Sequence, residues 1–490
     1  MILNTTEQLQ TKAESFQWHQ QWYPVAVVQY LDPTKPNKIK LLGKNLVLWQ
    51  KQKGQWSCLE DFCPHRGAPL SEGRVESDGT LMCAYHGWRF NDEGQCVKIP
   101  QCKDQHIEIK HCQNPKASCV AYPLQIAQGL IWIWSEPGAQ AEIESKLREP
   151  RLTPELAAKS SDMVVAPWSI RDLPYGWDFF FENVCDPAHA PVSHHGFLGN
   201  RYQDANYYDM IPTRKLSTQD GFAFQLVSDL DEPIPVSHDF QPPCLMKIDS
   251  LLPNGNKIIF ILYAIPTQPG WCRHIACQIL IKHNKSPFSK GLSIFALNIP
   301  AWMNHLMSSF FLHQDLVFLH YQEKELAKRG MEQWLEQVYL PNPQDKMVIA
   351  FRQWLKYRAE GNIPWQFPSD SQYLPTAEEN KQKLFDVWTT HTQHCYVCQR
   401  ALRRINYAKN LLKIGGVVCL ILALFIDNRI MGLKLASEQL EEFNFWVYLT
   451  PTKVFLLGFI SAILCFLVAY LLGKLSRLFY VYEFEHANND

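Results

Sequence analysis

Two short motifs, Cys63-Pro64-His65 and, after a gap of seventeen residues, Cys83-Ala84-Tyr85-His86, constrain this chain more than any other feature. Together they supply two thiolates and two imidazoles in matched pairs. Soft thiolates suit an iron that stays ferric, while two neutral imidazoles on a second iron leave the centre less negative and raise its potential above that of an all-cysteine cluster. Cys63, His65, Cys83 and His86 therefore read as ligands of a 2Fe-2S centre that takes up one electron and passes it on. A structural zinc site is the alternative, since zinc also accepts mixed Cys and His ligands, although C-x-H paired with C-x-x-H is an unusual zinc spacing. Gly67, Gly73, Gly79, Gly87 and Gly94 punctuate the segment and permit tight loops around a metal.

The chain is long enough, at 490 residues and 47% hydrophobic content, for two or three domains with substantial cores. Lys and Arg number 47 against 48 Asp and Glu, so there is no electrostatic footprint for nucleic acid. The fifteen cysteines are scattered, and cluster assembly needs reduced thiols, which points to a cytoplasmic or stromal compartment rather than a secreted disulfide scaffold. Met1 to Gln21 contains glutamates and no apolar stretch, so neither a secretory signal nor a transit peptide is expected there.

Strand-like runs such as Asn45 to Trp49 and Leu130 to Trp134, with turns at Lys53-Gly54 and Asp92-Glu93-Gly94, predict a small β domain over 18–138, after an N-terminal extension (1–17). Residues 139–163 read as a linker or helical connector. An α+β domain is expected over 164–390, with strands at Lys257 to Ile265 and His274 to Ile281 and helices between Trp302 and Arg358. A connector (391–410) then leads to apolar segments at 411–428 and 453–473 and a tail (474–490). Val454 to Gly473 is twenty residues without a charge, enough to span a bilayer; the first run reaches spanning length only with Leu411, Leu412 and a snorkelling Lys413, and buried core helices are the alternative. Basic residues Arg400, Arg403, Arg404, Lys409 and Lys413 before the pair and Lys474 and Arg477 after it, against Glu438, Glu441 and Glu442 between, predict a hairpin with both ends on the cytoplasmic or stromal side.

A second metal site is signalled by Asn183-Val184-Cys185-Asp186-Pro187-Ala188-His189 with His194, set among Trp177, Phe179, Phe180 and Phe181. Two histidines and one carboxylate leave an Fe(II) open positions for dioxygen and substrate. A lone His pair is more often structural, but an electron relay upstream needs an acceptor.

The cluster motif resembles the Rieske domains of ring-hydroxylating oxygenases and Rieske ferredoxins. Respiratory Rieske proteins carry a further disulfide clamp, and the matching positions here hold Ala68 and Ala84. N-x-x-D-x-x-H-x-x-x-x-H resembles the mononuclear iron motif of Rieske non-haem iron oxygenases. That resemblance implies an all-β Rieske domain followed by a helix-grip-like α+β catalytic domain and a membrane hairpin. It implies His189 and His194 as iron ligands and Asp315, in Gln314-Asp315, as the third, with Glu323 and Glu325 in reserve and His195 beside rather than on the metal. It also implies that Asp186 links the iron-site histidine to His86 of a neighbouring subunit, most often in a trimer, and that Asn183 either assists near the iron or ends a helix.

The longer string from Gly176-Trp177 through Phe180, Glu182-Asn183 and Asp186-Pro187-Ala188-His189 to His194-His195-Gly196 is similar to the pheophorbide a oxygenase group, which includes cell-death-suppressor proteins, chlorophyllide a oxygenases and the Rieske component of the chloroplast translocon. Cys395-Tyr396-Val397-Cys398 stands where several members carry C-x-x-C before a pair of membrane helices. That pair could be a disulfide reduced by thioredoxin, and the flanking His391 and His394 admit a zinc reading. The resemblance implies a ferredoxin donor, O2, a chlorophyll-derived tetrapyrrole as substrate, and a cyanobacterial member attached to a thylakoid, plasma or plastid membrane. Two alternatives stay open: a redox-sensing or translocon-associated subunit without turnover, and an oxygenase of a lipid, sterol or aromatic substrate.

Overall fold

The computed structural model describes residues 15–158, 160–227, 233–252, 255–283, 299–366, 374–440 and 451–488. Most of the N-terminal extension (1–17) and the acidic loop with Glu441 and Glu442, together with the side chain of Glu438, lie outside the described residues. The chain divides into two compact units, one within Met1–Phe385, Thr389–Tyr396 and Glu483–Asp490, the other comprising Asp386–Trp388 and Val397–Tyr482.

In the first unit, the N-terminal part is built from small antiparallel sheets. Strand β1 (Trp22–Val27) pairs with β10 (Leu130–Trp134), which pairs with β9 (Leu124–Ala127). Every residue of β10 is buried, as expected of an apolar run covered on both faces. Strands β2 (Asn37–Leu41), β3 (Lys44–Gln52) and β4 (Gln55–Glu60) form a second sheet. A third is made of short strands β5 (Arg74–Val75), β6 (Leu81–Met82), β7 (Arg89–Phe90) and β8 (Cys96–Lys98), followed by helix α1 (Gln105–Cys112). Val47, Trp49, Leu59, Leu70, Leu81 and Phe90 form the core under this third sheet, and Cys63 and Cys83 belong to the same core.

The segment 139–163 is partly helical, with α2 (Ala139–Leu147) and a 3-10 turn at Pro154–Leu156. Beyond it lies one antiparallel sheet in the order β11 (Met163–Val165), β18 (Trp271–Ile281), β17 (Lys257–Gln268), β16 (Leu245–Leu251), β15 (Pro233–Gln241), β14 (Gly221–Val227), β13 (Asp209–Ser217), with β12 (Ser169–Leu173) also on β18. Between β12 and β13 come α3 (Trp177–Val184) and the short α4 (Ala190–Ser193). Helix α3 buries Trp177, Phe179, Phe180 and Phe181. Arg352, on α6 (Lys346–Arg358), donates to Glu182 at 2.6 Å and Asp178 at 2.7 Å and fixes the polar side of α3.

The 29-residue α5 (Ala301–Arg329) is clamped to the backbone entering α3. Asn304 donates to the Pro167 carbonyl at 2.6 Å, His305 Nε2 meets the Trp168 carbonyl at 3.0 Å, and His320 Nδ1 meets the Pro174 carbonyl at 2.6 Å. These pairings offset the burial of Asn304, His305 and His320, since an unpaired buried donor costs about 1–3 kcal/mol.

The second unit holds α7 (Tyr396–Leu440) from Val397 onward and α8 (Pro451–Arg477), and two stretches, Tyr396–Arg429 and Phe455–Arg477, are long and apolar enough to cross a membrane. The first apolar run at 411–428 is part of a helix that begins at Tyr396; basic residues such as Arg400 and Arg403 favour helix as well as apolar ones do, so composition marks the apolar window and not the helix start. Ile414, Ile421, Leu424, Leu457, Leu464 and Leu471 are exposed along the pair. The helices approach closely: a Cβ built on Gly458 would sit 2.4 Å from Ala423 Cβ, and one on Gly416 would sit 2.9 Å from the Phe466 ring.

Candidate iron centres

Two loops with the same hydrogen-bond pattern carry the N-terminal ligand set. Cys63 N–H donates to Ala68 O at 2.9 Å and Gly67 N–H to Cys63 O at 2.8 Å; likewise Cys83 N–H donates to Trp88 O at 2.9 Å and Gly87 N–H to Cys83 O at 3.0 Å. Gly67 and Gly87 close these loops at φ values of +74° and +72°, where a side chain would be strained. The cysteines are buried, His65 is exposed and His86 half-buried. The two imidazoles meet edge to face, their centroids 4.5 Å apart, and His65 stacks on Trp88 at 4.6 Å. Burial pushes the Cys63 thiol up to about 11, so a cation is needed to hold it as thiolate near neutrality. A cluster held here would have its thiolate end in the core and its imidazole end toward solvent, the end from which an electron can leave.

The second set is assembled from three elements. His189 ends the 3-10 turn Pro187–His189, His194 caps α4, and Asp315 lies on α5. Their ligand atoms lie within 4.8 Å of one another. Asp315 Oδ2 is 3.1 Å from His194 Nε2 and 3.8 Å from His189 Nε2. Three neighbours decide which atoms face inward. Gln314 Oε1 lies 2.7 Å from His194 Nδ1, so with Oε1 as acceptor Nδ1 carries the proton and Nε2 presents a lone pair. The Asp186 carbonyl does the same for His189 Nδ1. Ser193 Oγ donates to Asp315 Oδ1 at 2.8 Å, which leaves Oδ2 toward the histidines. Two imidazole lone pairs and a carboxylate oxygen thus converge, a repulsive arrangement unless a cation lies between them. The donor set fits Fe(II) with open positions.

Other sequence-derived candidates fall elsewhere. His195 turns away and accepts from Arg201 N–H at 3.0 Å. Glu323 is buried but paired with Lys324 at 2.5 Å, and it accepts from Gly176 N–H at 3.0 Å, at the start of α3. Glu325 is exposed and holds Arg329 at 2.9 Å. Asn183 accepts Asp186 N–H on its carbonyl at the end of α3, and its side chain makes no hydrogen bond to His189, His194 or Asp315. Asp186 accepts from Ala188 N–H at 2.8 Å, and its carboxyl is raised, chiefly by burial. Cys395 and Cys398 are both buried and not joined as a disulfide. His394 contacts Gln393 at 2.9 Å, and it is His305 that joins His391 and Cys395. Reasoning from sequence missed Gln314 as an orienting group, Phe311, which stacks on His194 at 3.9 Å, and His486, whose Nε2 is 2.7 Å from the Gln314 carbonyl. A cleft of about 840 Å³ lined by Trp177, Glu323, Trp334 and Arg352 includes none of the triad.

Residues 21–115 match the Rieske [2Fe-2S] domain, the stretch containing both cysteine-histidine pairs, and residues 240–333 match pheophorbide a oxygenase, the stretch containing Asp315. A chloroplastic pheophorbide a oxygenase of Arabidopsis thaliana is 32% identical over 83% of this chain and 76% of its own length. The chain belongs to the pheophorbide a oxygenase family. This oxygenase is also 30% identical to flavonoid 8-hydroxylase 2, chloroplastic, of Ocimum basilicum, over 81% of the chain and 76% of that protein. Dicamba monooxygenase shares its fold, with a TM-score of 0.53 at 18% identity over 71% of this chain and 99% of that one. As a Rieske-type oxygenase it carries a 2Fe-2S cluster domain and a catalytic domain that binds mononuclear iron.

Proposed function

We propose that this oxygenase draws electrons from a reduced ferredoxin through a cluster on Cys63, His65, Cys83 and His86 and uses them at a mononuclear iron held by His189, His194 and Asp315 to oxygenate a large apolar ring, a chlorophyll-derived tetrapyrrole. The convergence of three lone-pair donors, each oriented by its own hydrogen bond, carries this reading, because a non-catalytic electron carrier has no use for it. Iron bound there supplies open coordination positions for dioxygen and substrate. Gln314 and the Asp186 carbonyl keep the protons of both imidazoles on the far nitrogens, and Phe311 holds the His194 ring plane. Asp186, fixed by Ala188 N–H, is the residue we assign to the link with His86 of a second copy, in a ring-shaped trimer. The exposed apolar faces of α7 and α8 support a membrane hairpin with the oxygenase on the cytoplasmic or stromal side, where apolar pigments partition.

The test supplies the purified holoenzyme with reduced ferredoxin, labelled dioxygen and a panel of chlorins. Label in a chlorin product is the expected result. The flavonoid hydroxylase relative favours one second reading, an aromatic phenolic substrate, so flavonoids belong in the same panel. Oxygen uptake with none of these compounds, under any donor, would favour a redox subunit without turnover.

A further inference from the structure

A third group of metal-type ligands lies outside both candidate iron centres. His305 on α5 and His391 and Cys395 in the segment before α7 offer ligand atoms within 4.8 Å of one another. His305 Nδ1 is 3.1 Å from His391 Nε2 and 3.7 Å from Cys395 Sγ. A tetrahedral zinc with bonds of about 2.0 Å to nitrogen and about 2.3 Å to sulfur needs edges of about 3.3 Å between nitrogens and about 3.5 Å between nitrogen and sulfur. The observed separations lie within about 0.2 Å of both. His305 is also set up as a ligand by its other nitrogen: Nε2 meets the Trp168 carbonyl at 3.0 Å, so the proton sits there and the Nδ1 lone pair points at His391 and Cys395. All three residues are buried. Cys398, also buried, follows Cys395 in the C-x-x-C spacing through which one cation takes two thiolates.

We propose that His305, His391, Cys395 and Cys398 form a closed structural zinc site. The ion takes two neutral imidazoles and two thiolates, and each thiol releases its proton on binding. It fastens α5, which carries Asp315 about three turns further on, to the segment that leads into α7. Two observations separate this from a thioredoxin-reducible disulfide: a disulfide needs neither histidine, and its sulfurs must be reached by the reductant, whereas both cysteines here are buried. His394 is not part of the set.

The test is zinc analysis and zinc K-edge absorption on the full-length holoenzyme purified in detergent without a histidine tag. One zinc per chain, beside the iron, with a mixed shell of nitrogen at about 2.0 Å and sulfur at about 2.3 Å, is the expected result. Cys395→Ser and His391→Ala lower zinc to traces while the 2Fe-2S spectrum stays unchanged, and His394→Ala keeps it. Should those variants fail to fold, the spectrum of the unmodified protein, with zinc release by a mercurial tracking thiol modification, decides. The proposal is overturned by a Cys395–Cys398 disulfide in place of zinc, by iron in this site, by a shell of nitrogen and oxygen only, or by zinc retained in folded Cys395→Ser.

Discussion

Gln314 is the residue whose replacement tests the mononuclear site most sharply, because it touches a ligand without being one. Its Oε1 accepts from His194 Nδ1 at 2.7 Å, and both residues are almost wholly buried. Gln314→Leu keeps a similar bulk and removes the acceptor. The Nδ1 proton is then left unpaired in the interior, at a cost of about 1–3 kcal/mol, or the ring turns over and presents the wrong nitrogen to iron. At about 1.4 kcal/mol per factor of ten, this corresponds to roughly 5- to 150-fold, in line with the 10- to 100-fold losses typical when a ligand's hydrogen-bond partner is removed. Phe311, stacked at 3.9 Å, still restrains the ring plane, which places the expected loss in the lower half of that range. The assay is anaerobic Fe(II) titration of protein stripped of mononuclear iron, read by the nitric oxide adduct's spin resonance, with the 2Fe-2S signal as internal control. Gln314→Glu, which retains an acceptor, should recover most of the affinity. An unchanged Fe(II) affinity in Gln314→Leu, or an equal loss of both signals, would refute the orienting role.

His189→Ala should abolish oxygen consumption while the cluster's visible spectrum stays intact; loss of both would mean that the residue holds the fold instead. In the helix pair, Gly458→Leu should destabilise the detergent-solubilised protein by about 1–3 kcal/mol through overpacking against Ala423, whereas Gly415→Ala, with nothing within 4 Å, should not, as read by thermal melts. Burial holds His274 at about 4, against the usual 6.5, although its Nδ1 meets the Tyr263 carbonyl. Because the folded value is the lower one, its contribution to stability is full above pH 6.5 and lost as pH falls toward 4, about 2 kcal/mol of it by pH 5. His274→Leu should therefore flatten the acid limb of a pH–melting curve, and an unaltered limb would count against the buried neutral imidazole.

Candidate ligands close together in sequence are legible there, and candidates on distant elements are not. The pairs at 63/65 and 83/86, and His189 with His194, stand out because one loop or turn presents each pair, so spacing alone carries the chemistry. Asp315 is one acid among several on α5, and in the sequence only the family resemblance separates it from Glu323 and Glu325; in the structure Glu323 pairs with Lys324 and Gly176, Glu325 is exposed, and Asp315 lies beside His189 and His194. His305 had no local motif at all. Strands β17 and β18 and helices α5 and α6 followed from periodicity, whereas the start of α7 did not, since a basic helical turn looks the same whether it precedes an apolar helix or belongs to it.

Residue type alone does not distinguish His189, His194 and His305 from ordinary structural histidines; a proton fixed on one ring nitrogen while the other nitrogen faces further donor atoms does. Gln314 Oε1, the Asp186 carbonyl and the Trp168 carbonyl each fix a proton on one ring nitrogen and so aim the opposite lone pair at a shared point. His274 supplies the contrast: its Nδ1 also meets a carbonyl, but its ring lies against Phe180 at 4.8 Å and it belongs to neither cluster of ligand atoms. An imidazole aimed at other donors is costly to keep in a folded chain without a cation, and one aimed at an aromatic ring is not. Helix α5 supplies a ligand to both clusters, Asp315 to one and His305 to the other, and its clamps to the Pro167, Trp168 and Pro174 carbonyls set the placement of both. The backbone on either side of β12, at Pro167, Trp168 and Pro174, is therefore what sets the placement of both candidate metal sites.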